Sequence, residues 1–186
     1  MLNYNSPIMD SKNYSELKIS MIEPIIKINL RGKNRDFIKK IGKELSIIPP
    51  TEPNTSSGNE NLNILWLSPD EWLLYSNNII DLKNNNSLED KLFNEISNVK
   101  LGAVTNVTDH WIMINLKGEK VFELLAGGCP FNFNDFKNLK GSVTQTLVNH
   151  IDVIIHNKDI NDLNLFVRRS FSAHLWSWIN DSSRFI

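Results

Sequence analysis

The chain has 186 residues, a hydrophobic fraction of 41% and 22% charged residues, enough apolar material for a packed core. Twenty basic and 21 acidic residues leave a formal charge of -1, which excludes the basic excess of an ordinary nucleic-acid binder. The single cysteine, Cys129, excludes an internal disulfide and a cysteine metal cluster, and a reducing, cytoplasmic setting is expected.

Residues 1–23 are polar and mixed, lack the apolar core of a secretion signal, and are expected to form a tail. No apolar run approaches the ~18 residues of a membrane span. Ile25–Leu30 predicts a strand closed by Gly32. Phe37, Ile38, Ile41 and Leu45 recur at helical spacing and predict a helix over about 33–46. Residues 49–61 are rich in Pro, Asn, Ser and Thr and predict a mobile loop. Ile64–Leu67 and Trp72–Tyr75 flank Ser68-Pro69-Asp70-Glu71, whose proline pre-sets a turn, so a hairpin is expected. Asn84–Asn86 break the pattern. Ser87 with Asp90 resembles a capping box, ahead of a helix with Leu88, Leu92, Phe93 and Ile96 on one face. Ala103–Val107 reads as a strand.

The second half begins as the first does. Ile28-Asn29-Leu30-Arg31-Gly32 matches Ile114-Asn115-Leu116-Lys117-Gly118 at an offset of 86 residues (Ile28 to Ile114). A helical run with Val121, Phe122, Leu124 and Leu125 follows, stopped by Gly127-Gly128. A second hairpin is expected from Val143–Val148 and Ile151–His156, turning at Asn149-His150, then a strand over Leu163–Arg168. Ser170 is the expected cap of a last helix whose apolar face carries Phe171, Leu175, Trp178 and Ile179. The order strand, helix, hairpin, helix occurs twice. The expectation is an α+β protein with a tail at 1–23 and a domain at 24–181, made of related halves at about 24–108 and 109–181.

The search for chemistry returns few candidates. Cys129 lies in Gly-Cys-Pro with no histidine near it in sequence, and a packed thiol is the expectation. His150 and His156 lack the spacing and companion ligands of a zinc site and read as surface or half-buried histidines. Asp109-His110 reads as a turn; no Gly-x-Ser-x-Gly elbow accompanies it. Gly32 and Gly118 lack the rest of a phosphate-binding loop. Asp70-Glu71 reads as a solvated turn beside Trp72. Arg168-Arg169, two of the five arginines, stands at a strand end. One of the pair could meet a carboxylate of a partner; a solvated strand end is the alternative. Of Trp176 and Trp178, one suits the core and the other an interface.

Three stretches taken together resemble the gamma subunit of heterotetrameric sarcosine oxidase: Pro69-Asp70-Glu71-Trp72-Leu73-Leu74, Gly128-Cys129-Pro130, and Arg168-Arg169-Ser170-Phe171 with Leu175-Trp176 and Trp178. The resemblance covers about residues 25–180. It implies a fold like the folate-binding aminomethyltransferases and a non-catalytic place in a four-subunit oxidase that demethylates sarcosine to glycine. It further implies that FAD, FMN, NAD and zinc belong to partner subunits, that this chain binds none of them, and that the partners are the alpha, beta and delta subunits, chiefly alpha. Asp70, Glu71, Trp72, Arg168, Arg169 and Trp176 become candidates for the interface. The alternative is a free-standing folate-binding protein of the same fold, in which Arg168 or Arg169 clamps a glutamate carboxylate.

Overall fold

Short β-branched and aromatic runs separated by turn residues dominate the chain, and they fold as strands. A computed structural model describes residues 6–8, 10–22, 24–77 and 86–186, with the backbone only at 86 and 87. Two units result: Pro24–Thr108, which is continuous, and a split unit joining Met1–Glu23 to Asp109–Ile186. The expected tail is corrected. Ser11–Asn13 (β1) and Lys18–Met21 (β2) are strands, and β2 runs antiparallel to the strand Trp111–Lys117. Leu17 and Ile19 are buried in the core of the split unit, alternating with Lys18 and Ser20. Two apolar positions among many polar ones are too few to announce a strand in the sequence.

In the continuous unit, Lys27–Arg31 (β3) leads into helix Arg35–Leu45 (α1). The Asn34 side chain caps α1 by accepting a hydrogen bond from the Phe37 amide at 2.7 Å. Phe37, Ile41 and Leu45 are buried on its inner face. Ser56–Gly58 (β4), Leu62–Ser68 (β5) and Glu71–Ser76 (β6) follow, then helix Asn86–Leu92 (α2), a π-helical turn at Phe93–Ser97, and Ala103–Asn106 (β7). The antiparallel sheet has the order β4-β5-β6-β3-β7. The loop expected at 49–61 is corrected in part, because β4 is an edge strand paired with β5. Its three small residues bury neither face fully, which is why it reads as a loop. The pairing of Ser87 with Asp90 lies outside the described residues. Leu92 and Ile96 are buried as expected, whereas the π-turn leaves Phe93 46% exposed.

In the split unit, Trp111–Lys117 (β8) leads into helix Val121–Ala126 (α3), a 3₁₀ turn at Phe136–Asn138, Val143–Val148 (β9), Ile151–Asp159 (β10), Asp162–Arg168 (β11) and helix Arg169–Ser182 (α4). Its sheet has the order β1-β2-β8-β11-β10-β9, antiparallel throughout. The β9–β10 turn places Asn149 and His150 at φ 48° and 64°, the left-handed pair a two-residue hairpin needs. Leu175 and Ile179 are buried in the core cluster that also holds Leu116, Leu124 and Leu165, each such side chain contributing ~1.5–3 kcal/mol. Two expectations for α4 fail. Arg168 occupies the cap position and no side chain caps the helix, while Phe171 is 47% exposed instead of facing the core. Ser172 takes the inward position and donates from its hydroxyl to the Arg169 carbonyl at 2.8 Å.

The repeated five-residue motif has a structural role in each unit. Asn29 on β3 donates to the Glu71 carboxylate at 2.7 Å, and Arg31 lies 3.6 Å from the same carboxylate. Asn115 on β8 donates to the Asp162 carboxylate at 2.7 Å, and Lys117 lies 3.1 Å from it. The closing glycines admit close neighbours. At Gly118, φ is +136° and an added Cβ would sit 2.1 Å from the Glu16 carbonyl oxygen. Gly118→Ala is expected to cost about 2 kcal/mol or more, through both the backbone conformation and the collision with β2's approach. Urea unfolding that shows no loss for this variant contradicts that account.

Candidate functional site

The six residues singled out by sequence fall into two groups, one per unit. In the continuous unit, Pro69 and Asp70 make the turn between β5 and β6. The Ser68 hydroxyl donates to Asp70 at 2.8 Å, and Lys33 and Arg31 stand 3.7 and 3.9 Å from its carboxylate. The Ser68 hydrogen bond, helped by the charges of Lys33 and Arg31, holds the Asp70 carboxyl below its ordinary range. Glu71 is engaged by Asn29 and Arg31. Both acids are therefore committed to a local cluster tying the turn to the end of β3. Trp72 as an interface residue is corrected: it is 2% exposed, packs 5.7 Å from the Phe37 ring, and donates its indole N–H to the Pro50 carbonyl at 2.8 Å. Its polar handle is satisfied inside the unit, and the whole side chain belongs to the core.

In the split unit, Arg168 and Arg169 separate. Arg168 is exposed at the end of β11, directly opposite Trp111 in the register. Arg169 starts α4; its amide donates to the His110 carbonyl at 2.8 Å and its guanidinium lies 3.9 Å from Asp109. Trp176 is half-buried against the core, as is Trp178. Trp178 covers Gly128 so closely that a Cβ there would be 2.4 Å from the indole, which explains the glycine before Cys129. The Cys129 thiol is buried, 3.7 Å from the Thr146 hydroxyl.

Sequence reasoning missed two features here. His110 meets Trp111 edge-on, with ring centroids 5.0 Å apart, beside the arginine pair. His156 is 2% exposed, not a surface or half-buried residue. It sits on β10 between Val143 and Asn164, where residues 153–157 are all buried, so no face of the strand remains for water. That unbroken stretch was the available signal, since a strand buried on both faces loses the usual alternation.

Burial, with the nearby charge of Lys158, lowers the His156 pKa to about 4. Among the described residues no group of three or more His, Cys, Asp and Glu is placed to hold a metal ion, and no helix is long and apolar enough to cross a membrane. A shallow depression of about 380 Å³ lies over the contact between Tyr14–Lys18 and Lys117–Glu119 and is lined by a mixture of charges and backbone.

Two antiparallel sheets, each with helices, define a mixed α+β protein. The fold is similar to a heterotetrameric sarcosine oxidase from Corynebacterium sp. U-96, solved in complex with pyrrole 2-carboxylate: TM-score 0.80, 19% identity, covering 89% of this chain and 83% of that one. It is also similar to the glycine cleavage system aminomethyltransferase T from Bartonella henselae, at TM-score 0.68 and 12% identity, covering 91% of this chain but only 46% of that longer one. No curated protein matches. The model of the sarcosine oxidase, gamma subunit family matches residues 38–184, and the chain belongs to that family.

His156 supplies a pH test. Its folded pKa of about 4 lies below the unfolded value of 6.5, so between these values only the unfolded chain takes up the proton. The stability from keeping it neutral is complete above pH 6.5 and is lost progressively as pH falls toward 4, by about 3 kcal/mol. His156→Gln is expected to flatten this part of the stability–pH curve measured by urea denaturation. An unchanged slope in the variant assigns the acid sensitivity elsewhere.

Proposed function

We propose that this chain is the non-catalytic gamma subunit of a heterotetrameric sarcosine oxidase, supporting the flavin-containing subunits during oxidative demethylation of sarcosine to glycine. The family match over residues 38–184 carries the reading. The disposition of polar groups supports it. Asp70 and Glu71 are bound to Arg31, Lys33 and Asn29; Asp162 is bound to Lys117 and Asn115; Cys129 is packed. These side chains stabilise strands and turns, a task of scaffolding. On this reading the alpha, beta and delta subunits are the partners, chiefly alpha; FAD, FMN, NAD and zinc reside in them; and the assembly is cytoplasmic. Arg168, Arg169 and Trp176 remain interface candidates, with Asp70 and Glu71 as charged residues at a turn.

The same proposal includes descent from a duplicated half. Its support is the matching order of the central strands, β4-β5-β6-β3 and β9-β10-β11-β8, with a helix after β3 in one unit and after β8 in the other. The Asn–carboxylate–cation arrangement recurs at corresponding places in both.

The folate-binding alternative draws less support, since Arg169 stands 3.9 Å from Asp109 and the two guanidiniums do not share a carboxylate. Co-expression with the neighbouring genes tests the proposal. The chain is expected to co-purify with a flavin-containing subunit and to increase the yield or thermal stability of sarcosine-dependent oxygen consumption. Failure to co-purify, or sarcosine turnover by the isolated chain, refutes it. Saturable quenching of tryptophan fluorescence by folate, abolished in Arg168→Ala, decides for the alternative.

A further inference from the structure

One corner of the split unit concentrates the residue types that anchor protein interfaces. Arg168 and Trp111 oppose each other across β11 and β8, so their side chains leave the same face of the sheet. Trp111 is half-buried and held edge-on to His110. The Arg169 amide is bonded to the His110 carbonyl, and its guanidinium faces Asp109. Strand start and helix start are thus strapped together, and the corner is fixed before any partner arrives. Phe171, three residues after Arg168, is 47% exposed.

A single exposed aromatic needs no explanation on a protein surface. Here an uncompensated charge stands opposite Trp111 in the register and three residues before Phe171 in the chain. Asp109 balances Arg169, whereas Arg168 makes no ion pair or side-chain hydrogen bond among the described residues. The corner therefore presents a net positive charge on a chain whose formal charge is -1. A polyanion is poorly matched, because one guanidinium with an aspartate close by makes no basic stripe. A lone carboxylate is well matched, since the guanidinium fork takes it bidentately, and Trp, Arg and Phe are enriched at interface cores.

We propose that this corner docks a protein partner presenting an Asp or Glu carboxylate to Arg168, with an apolar side chain against Trp111 and Phe171. The inference rests on the reading of the chain as an assembly subunit and names the surface and chemistry by which it assembles.

The test uses the co-expressed complex and the affinity of the purified chain for the remaining subunits. Arg168→Glu is expected to raise Kd about 10- to 100-fold, and Phe171→Ala to weaken binding by a smaller factor. Arg168→Lys should fall between wild type and Arg168→Glu, having the charge without the fork. Lys140→Glu, a charge reversal at an exposed pair with Asp159, should leave Kd within twofold. Because Arg168 is exposed, the thermal midpoint of the isolated Arg168→Glu chain should match wild type, which separates lost docking from lost folding. If wild type assembles and both Arg168→Glu and Phe171→Ala bind equally well, the surface is wrong while the subunit reading stands. If wild type does not assemble, the subunit reading fails and takes this proposal with it. A wild-type dimer in sedimentation that Arg168→Glu dissolves identifies a second copy as the occupant and overturns the proposed partner.

Discussion

The hydrogen bond from a strand asparagine to a carboxylate on the neighbouring strand governs how each unit is put together. β3 and β8 are interior strands, with a neighbour on both sides. A polar side chain there is costly unless its donors are used. Asn115, 9% exposed, uses its amide fully: it donates to Asp162, to the Leu163 carbonyl at 3.2 Å and to the Asn164 side chain at 3.0 Å. Lys117 then offsets the charge of Asp162, whose side chain is only 14% exposed. A slip of one residue between β8 and β11 would turn Asn115 to the core face, among Leu163, Leu165 and Val167, and take Ile112, Ile114 and Leu116 out of that core. The polar contact therefore specifies register more than it adds raw stability. Asn29 with Glu71 and Arg31 does the same between β3 and β6. Once these strands are registered, the glycine after each sets the exit into α1 or α3, and the hairpins close onto a defined neighbour.

Much of this was readable in the residues themselves. The hairpins at Ser68–Glu71 and Asn149-His150, the helix from Phe37 to Leu45 and the motif repeated at an offset of 86 residues announce themselves through turn chemistry and periodicity. What escaped is strand structure with little apolar content. β1, β2 and β4 are edge or near-edge strands built largely from Ser, Lys, Asn and Gly, and their pairing comes from the sheet they join. Local sequence carries no trace of a partner strand that arrives about a hundred residues later, as β8 does for β2.

The candidate site was legible by residue type but not by environment. Trp72 and Arg168 looked equivalent as large side chains within a familiar-looking stretch. One sits inside, with its N–H on a proline carbonyl; the other is in solvent. Burial is a property of the completed sheet and helix packing, and alternation along one strand does not decide it when both faces are covered. His156 makes the same point. Its six-residue spacing from His150 suggested nothing, whereas its place in a doubly covered strand determines its protonation. Gly128 is the reverse case: an unremarkable sequence glycine becomes obligatory because Trp178 lies on it. Two of the stretches that resemble the family, Gly-Cys-Pro and the tryptophan-bearing helix, are thus one packing unit.

These contrasts bear on what kind of protein this is. A catalytic group needs a perturbed pKa in a place substrate can reach. His156 has the perturbation, but burial is its cause, and burial also denies access. Asp70 is reachable, but its carboxylate is held ionised by Ser68, Lys33 and Arg31, which suits neither a general acid nor a base poised near neutrality. Arg168 combines exposure with an uncommitted charge on a rigid backbone. A guanidinium presents a fork of donors and no acceptor, so its capacity is recognition. In the proposed docking, the Arg168 charge orients the encounter and discriminates between partners, while Trp111 and Phe171 offer the apolar area. That division of labour suits a subunit whose proposed contribution is to hold an oxidase together.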